Sequence, residues 1–407
     1  MINTWRLLSE EEALQQLKTN FLTVSKETVF IDEACGRFLA AGIRHKVDQP
    51  PFSRATMDGY GYNKEKSDPD RPFILKEGAA AAGSAEAAGG FVKAQECLAV
   101  MTGAALPAGV TAVQRFEYCR KNEGPQGGEV IFTAPETSDN IIKQGASATR
   151  GGMLIAPCRL GPREIGSLAA AGYSRIEVCR KLKAGIISSG NELCPLGRSL
   201  AAGEVYEANS YLLRPLFEEN GAEVKFFGTV RDDFDELHRR LRAASDECDI
   251  VVVSGGISQG VFDYTKPALE KLGVVELFHG VAVKPGKPFY AGKKERTAFF
   301  GLPGNTVSAF VCFELFIKPF LWRSLGVVLP ECHEKLPLGA DIERRDTERD
   351  EYWPARLEGF GNERSIVPLR YTGSSMVTVL ADTRAFIRIE RGVGQMKRGE
   401  QADVRFL

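Results

Sequence analysis

Lys284 and Lys287 flank Pro285 and Gly286 in the segment VKPGKPFYAG, and Pro288 stiffens its exit. Two ammonium groups converging on one spot repel each other unless an anion lies between them, so a rigid turn of this kind suits an oxyanion clamp. A solvated pair of surface lysines has the same spelling. Ser254, Gly255 and Gly256 follow the apolar run DIVVV. They can turn the chain tightly with several backbone N–H groups facing one point, as a phosphate requires, or can form a plain tight turn. Asp263 stands a few residues on, where it serves either that loop or the N-cap of the next helix. Pro303, Gly304 and Asn305 precede a long apolar helix whose N-terminal dipole favours an anion, unless they only cap it. Glu192 in SSGNEL, Asp232 and Asp233 in VRDD, and Asp58 in ATMDGYG each follow a strand or lie in a glycine-containing turn. A carboxylate there can hold Mg²⁺ near phosphate oxygens or orient water, or can simply shape the turn.

These residues need a scaffold that gathers them. From Lys183 the sequence alternates strand and helix: AGIISSG, SYLLRPLFEENG, AEVKFFGTV, FDELHRRLRAASD, DIVVVSGG, TKPALEKLG, TAFFGLPG and VSAFVCFELFIKPFL. This alternation predicts a doubly wound, mostly parallel sheet covered by helices on both faces. Ligands of such a sheet sit beyond the carboxyl ends of its strands, which is where the loops above fall. Ser9 and Glu12 stand at capping-box spacing ahead of a short amphipathic helix. Short β-like runs between residues 47 and 146 predict a β-rich module inserted into a discontinuous stem, residues 1–46 and 147–181. The sheet domain takes residues 182–328, and alternating strands with glycine turns predict an all-β domain over residues 329–407. The fold class is therefore α/β and multidomain.

Lys and Arg number 52 against 53 Asp and Glu, a formal net charge of −1, so no overall basic field draws the chain to nucleic acid and any anion site must be local. Nine cysteines include no C-x-x-C pair, and the four histidines do not flank them at zinc spacing, which points to reduced thiols. Cys332 and His333 are adjacent, but their side chains diverge and no second pair converges on them. The N-terminus carries acidic residues where a secretory segment would be apolar, and no run approaches the roughly 18 apolar residues of a membrane span. A cytoplasmic location is the expectation.

Taken in order, the strings PPFSRATMDGYG, MTGAALPAG, SSGNEL, GEVYEANSYLLRPLFEENGAEV, GTVRDDFDEL, VVVSGGISQGVFDYTK, VKPGKPFYAG and FFGLPGNTVSAF resemble the molybdopterin molybdenumtransferases, the family of MoeA and the gephyrin E domain. The resemblance covers nearly the whole chain. It implies a molybdopterin-binding sheet domain with an elongated N-terminal stem, an inserted module and a C-terminal β-barrel-like domain, assembled as a homodimer. It implies that adenylylated molybdopterin and molybdate react with the help of Mg²⁺, giving molybdenum cofactor and AMP. An upstream molybdopterin adenylyltransferase is an implied partner; nucleic acid and membrane are not.

By the same resemblance, Ser254, Gly255, Gly256, Asp263, Pro303, Gly304 and Asn305 line the pterin-phosphate pocket. Lys284 and Lys287, with Arg356 from WPARL and Ser374 from TGSSM, hold molybdate. Glu192 and Asp232 serve Mg²⁺ or adenylate cleavage, and Asp58 and Thr102 belong to the inserted module and face the partner's site. The chain departs from the family pattern at Asn191, Thr306, Ile257, Gln259, Ala146 and Ser147. These departures keep open a diverged, non-catalytic molybdopterin carrier or scaffold; a molybdopterin adenylyltransferase on a related sheet domain is a second alternative, against which the large N-terminal insertion and the final β domain argue.

Overall fold

Helix α1, Glu10–Lys18, opens with the capping box that its sequence specifies: Glu12 N–H donates to Ser9 Oγ (3.1 Å) and Ser9 N–H to the Glu12 carboxylate (2.8 Å). The computed structural model describes residues 6–83, 90–124, 127–258, 263–330 and 332–407. The chain forms two units, one of Met1–Ala41, Pro157–Ile165 and Arg175–Leu407, the other of Gly42–Ala156 and Gly166–Ser174.

The first unit is built on a six-stranded sheet. In chain order its elements are β1 Leu182–Ser189, α2 Asn209–Glu219, β2 Ala222–Val230, α3 Phe234–Glu247, β3 Ile250–Ser254, α4 Thr265–Leu272 and β4 Val275–His279. A short strand β5, Val283–Lys284, follows, then β6 Tyr290–Lys294, β7 Thr297–Leu302 and α5 Thr306–Cys312. A π-helical turn, Phe313–Ile317, carries the last helix on into α6, Lys318–Ser324. The strand order is β2-β1-β3-β7-β6-β4, with β2, β1, β3 and β7 parallel and β6 and β4 antiparallel to their neighbours.

Strand β3 (IVVVS) is buried along its whole length because helices cover both faces of the sheet. Val252 belongs to the apolar cluster on one face, with Phe300 and Phe316, and Val251 to the cluster on the other, with Leu241 and Leu269. Helix α2 stops at Asn220, and Gly221 follows with φ +86°, the left-handed exit expected of an Asn-Gly pair.

The same unit holds a second sheet near the C-terminus, made of β8 His333–Pro337, β9 Asp350–Glu358, β10 Ser365–Pro368, β11 Ala385–Ile389 and β12 Gln401–Phe406. Its order is β5-β9-β11-β12-β8, with β10 also on β9. Strand β5 thus lies between two strands of the first sheet in sequence but belongs to the second, pairing in parallel with β9 so that Lys284 stands opposite Glu351. Leu336, Ile366, Ile387 and Val404 fill the core of this sheet.

The second unit contains a six-stranded sheet, in which Gly59–Tyr62 lies between Ala112–Arg115 and Glu96–Val100. Phe73, Phe132 and Tyr62 pack its core.

Candidate active site

Four chain segments meet beyond the carboxyl ends of β1, β2, β3 and β7. Gly255 has φ +95°, and a Cβ there would stand 2.1 Å from the Ser189 carbonyl oxygen, so only glycine lets the turn after β3 lie against the end of β1. Its N–H donates to the Leu302 carbonyl (3.0 Å), tying the turn to β7. Thr265 closes it from the other side, donating Oγ1 to the Gly255 carbonyl and its N–H to the Gly256 carbonyl, both at 3.2 Å. Gln259 and the three residues after it lie outside the described residues. Asp263 is not an N-cap: α4 begins at Thr265 with Tyr264 in the cap position and no side-chain cap bond.

This turn lines a cavity of about 340 Å³ with Glu192, Asp232, Asp263, Pro303, Gly304 and Asn305. Asp232 is held reciprocally by Asn191, whose Nδ2 donates to Oδ2 (2.8 Å) while its Oδ1 accepts from the Asp232 N–H (3.1 Å). Partial burial, then the negative charges of Glu192 and Asp263, raise the Asp232 carboxyl above the usual carboxylate range. The neighbouring Asp233 has an architectural task, accepting from Glu236 N–H (2.9 Å) as the N-cap of α3.

A second cavity, of about 530 Å³, shares Pro288, Pro303 and Asn305 with the first. Both lysines of the proline turn line it. Gly286 can only be glycine, since a Cβ would meet the Cys312 sulfur at 2.8 Å. The lysines differ in environment. Lys284 Nζ lies 3.2 Å from a Glu351 carboxylate oxygen, and that carboxylate, 3% exposed, also faces the Arg344 guanidinium at 3.5 Å. Lys287 is exposed, and its side chain makes no hydrogen bond or ion pair among the described residues. Asn305 occupies the N-cap position of α5 but does not cap it; its Nδ2 donates to Ser374 Oγ (2.9 Å) and so joins the walls of the two cavities to the C-terminal sheet domain.

Arg356 lines neither cavity. It pairs with Glu358 two residues along β9, at 2.7 Å and half exposed. The arginines that do line the second cavity are Arg344, Arg345 and Arg349, from the IERRDTER segment. Sequence reasoning passed over them, although a run of guanidinium groups between two strands was the available signal. It also passed over Asn209, the buried first residue of α2. Asn209 Nδ2 donates both to Ser254 Oγ (2.5 Å) and to the Gly304 carbonyl (2.8 Å), bracing the glycine turn against the Pro-Gly-Asn turn. Beside it the buried Glu207 accepts from Ser188 Oγ and Ser210 N–H, both at 2.9 Å, which fixes the end of β1.

Asp58 and Thr102 belong to the other unit. Asp58 Oδ1 accepts from the Thr102 N–H (2.6 Å) and hydroxyl (2.8 Å), and these bonds lower its carboxyl below the usual range.

Among the described residues no group of three or more His, Cys, Asp or Glu converges closely enough to hold a metal ion by itself. The carboxylates around Asp232 nevertheless suit Mg²⁺, which binds through one or two carboxylates and completes its shell with water and phosphate oxygens. Asp232 is the side chain whose ionised form a nearby cation would relieve.

A mostly parallel sheet covered by helices, with a glycine turn and a cationic proline turn at its strand ends and an added β domain, defines the class: a multidomain α/β protein built around an anion site. Family models match three successive stretches, "MoeA N-terminal region (domain I and II)" over residues 8–172, "Probable molybdopterin binding domain" over 185–323 and "MoeA C-terminal region (domain IV)" over 335–407. The molybdopterin molybdenumtransferase of Haemophilus influenzae is 30% identical over 395 residues, 93% of each chain. That of Bacillus subtilis is 29% identical over 390 residues, 93% of this chain and 89% of the other. The crystal structure of the molybdopterin biosynthesis MoeA protein from Pyrococcus horikoshii superposes with a TM-score of 0.84 at 31% identity, covering 98% of this chain and 99% of that one. The chain belongs to the molybdopterin molybdenumtransferase family.

Proposed function

We propose that this chain is a transferase of molybdenum cofactor biosynthesis that inserts molybdenum from molybdate into adenylylated molybdopterin and releases AMP. The observation that carries the reading is the pair of adjoining cavities. One has a glycine turn and three carboxylates, the other a cationic lining, and they share the wall of Pro288, Pro303 and Asn305. A phosphate-bearing pterin and a tetrahedral dianion bound on either side of one wall are held as neighbours, so proximity supplies much of the rate.

Glu192 and Asp232 would hold Mg²⁺, which when bound supplies charge neutralisation at the phosphoanhydride. Gly255, Gly256, Pro303 and Gly304 orient the phosphate, Asp263 borders it, and Ser254, buried and held by Asn209, supports the turn from beneath. Ser374 and the lysine turn border the molybdate. Asp58 and Thr102 act on the site of the partner in a homodimer. No side-chain nucleophile is required, and none of the nine free cysteines, which suit a reducing cytoplasmic compartment, lines either cavity. The adenylylated substrate comes from a separate adenylyltransferase.

The test is purified protein given adenylylated molybdopterin, Mg²⁺ and molybdate. Molybdate-dependent release of AMP together with active cofactor is expected. Tight pterin binding with no nucleotide cleavage would instead establish a carrier, and adenylylation of free molybdopterin from ATP would establish an adenylyltransferase.

A further inference from the structure

The second cavity is lined by five cationic side chains, Lys284, Lys287, Arg344, Arg345 and Arg349, against three carboxylates, Glu343, Asp346 and Glu351, which leaves a surplus of two positive charges. The ion pairs show where the surplus resides. Lys284 and Arg344 both face the buried Glu351 carboxylate. Arg344 also donates to the carbonyls of Val393, Glu390 and Arg349. Arg349 is paired with Asp346 at 2.9 Å. Glu343 accepts from the Gln395 side chain (2.9 Å) and has no cation bound to it among the described residues. Two cations remain exposed and make no hydrogen bond or ion pair among the described residues: Lys287 and Arg345.

We propose that Arg345 and Lys287 together form the grip for a tetrahedral oxyanion dianion in this cavity, and that Lys284 is a positioning residue committed to Glu351. The inference rests on the reading of this cavity as the molybdate side of the site. A guanidinium presents a planar fork of donors that matches two oxygens of a tetrahedral anion, whereas an ammonium acts as a point charge. If Lys284 turned to the anion instead, Glu351 would keep only the longer Arg344 contact at 3.5 Å and lie beside a dianion, so the pair opposes that role. Arg345 supplies the guanidinium that Arg356, paired with Glu358 outside the cavity, does not.

The experiment measures binding of molybdate, and separately of AMP, to the full-length protein by equilibrium dialysis, alongside turnover. Arg345→Ala is expected to weaken molybdate binding at least tenfold and to raise the molybdate KM correspondingly. AMP affinity should stay within twofold and the melting temperature unchanged, because the side chain has no partner to lose. Arg345→Lys should recover part of the molybdate affinity, and Lys287→Ala should resemble Arg345→Ala. Molybdate binding by Arg345→Ala within twofold of the parent would overturn the proposal, as would a loss confined to AMP. If the parent binds molybdate through Arg345 but releases no AMP, the grip stands and the transferase reading fails. If the parent turns over with Arg345→Ala unaffected, the transferase reading stands and the grip fails. A parent that binds no molybdate contradicts both.

Discussion

At the scale of single residues, Lys284 and Lys287 are adjacent in a motif and unlike in physics. The Lys287 side chain has no partner among the described residues, so Lys287→Ala should leave the melting temperature within a degree or so while impairing molybdate-dependent turnover. Lys284→Ala strips one of two cations from the buried Glu351 and should cost about 1–3 kcal/mol in urea denaturation, the range for leaving a buried polar group under-satisfied. The double variant should lose turnover altogether. Asp232 gives a pH signature. Its native pKa is raised, so between the ordinary carboxylate value and the native one the folded state binds more protons than the unfolded state, and this group's contribution to stability falls as pH rises through that window. Asp232→Asn should therefore melt higher than the parent at neutral pH, with the advantage shrinking on acidification. Mg²⁺ should raise the melting temperature of the parent more than that of the variant. Thermal melts across pH with and without Mg²⁺ check both signs.

At the scale of elements, the loops are held by residues that a motif search does not mark. Gly255→Ala forces a Cβ onto the Ser189 carbonyl and a left-handed backbone onto alanine. The backbone term alone costs about 1–2 kcal/mol, and equilibrium unfolding should show at least that, together with loss of adenylate affinity. Asn209→Ala releases Ser254 Oγ and the Gly304 carbonyl at once. It should cost about 1–3 kcal/mol and weaken AMP binding, measured by calorimetry.

The helices and the parallel strands were legible because apolar periodicity and caps such as Ser9, Asn220 and Gly221 act locally. The antiparallel β4–β6 pair was not, because KPFYAG reads as a turn and its pairing partner lies outside any local window. Nor was the passage of β5 into the second sheet, which places Lys284 opposite Glu351: register across sheets leaves no local trace. The glycine and proline turns were legible as candidate anion loops because those residue types have few other uses at strand ends. The arginines of IERRDTER were not, since a charged run looks the same whether it faces solvent or a cavity. Arg356 was expected at the molybdate site from its motif, and the structure turns it toward Glu358 instead.

At the scale of the whole molecule, each unit carries its own sheet and core, and the first gathers residues from two sheets around the adjoining cavities. The near-neutral net charge makes the cationic cavity a local feature, and its attraction for an exposed anion should weaken with ionic strength. The proposed chemistry requires an oxyanion to settle in that cavity, next to the glycine turn. The most direct measurement is anomalous diffraction at the molybdenum edge from crystals of the full-length protein soaked in molybdate. The expected result is a peak in the cavity within hydrogen-bond distance of Lys287 Nζ and the Arg345 guanidinium, beside Ser374. A map without molybdenum in that cavity at saturating molybdate, or with its peak elsewhere on the chain, would contradict the account.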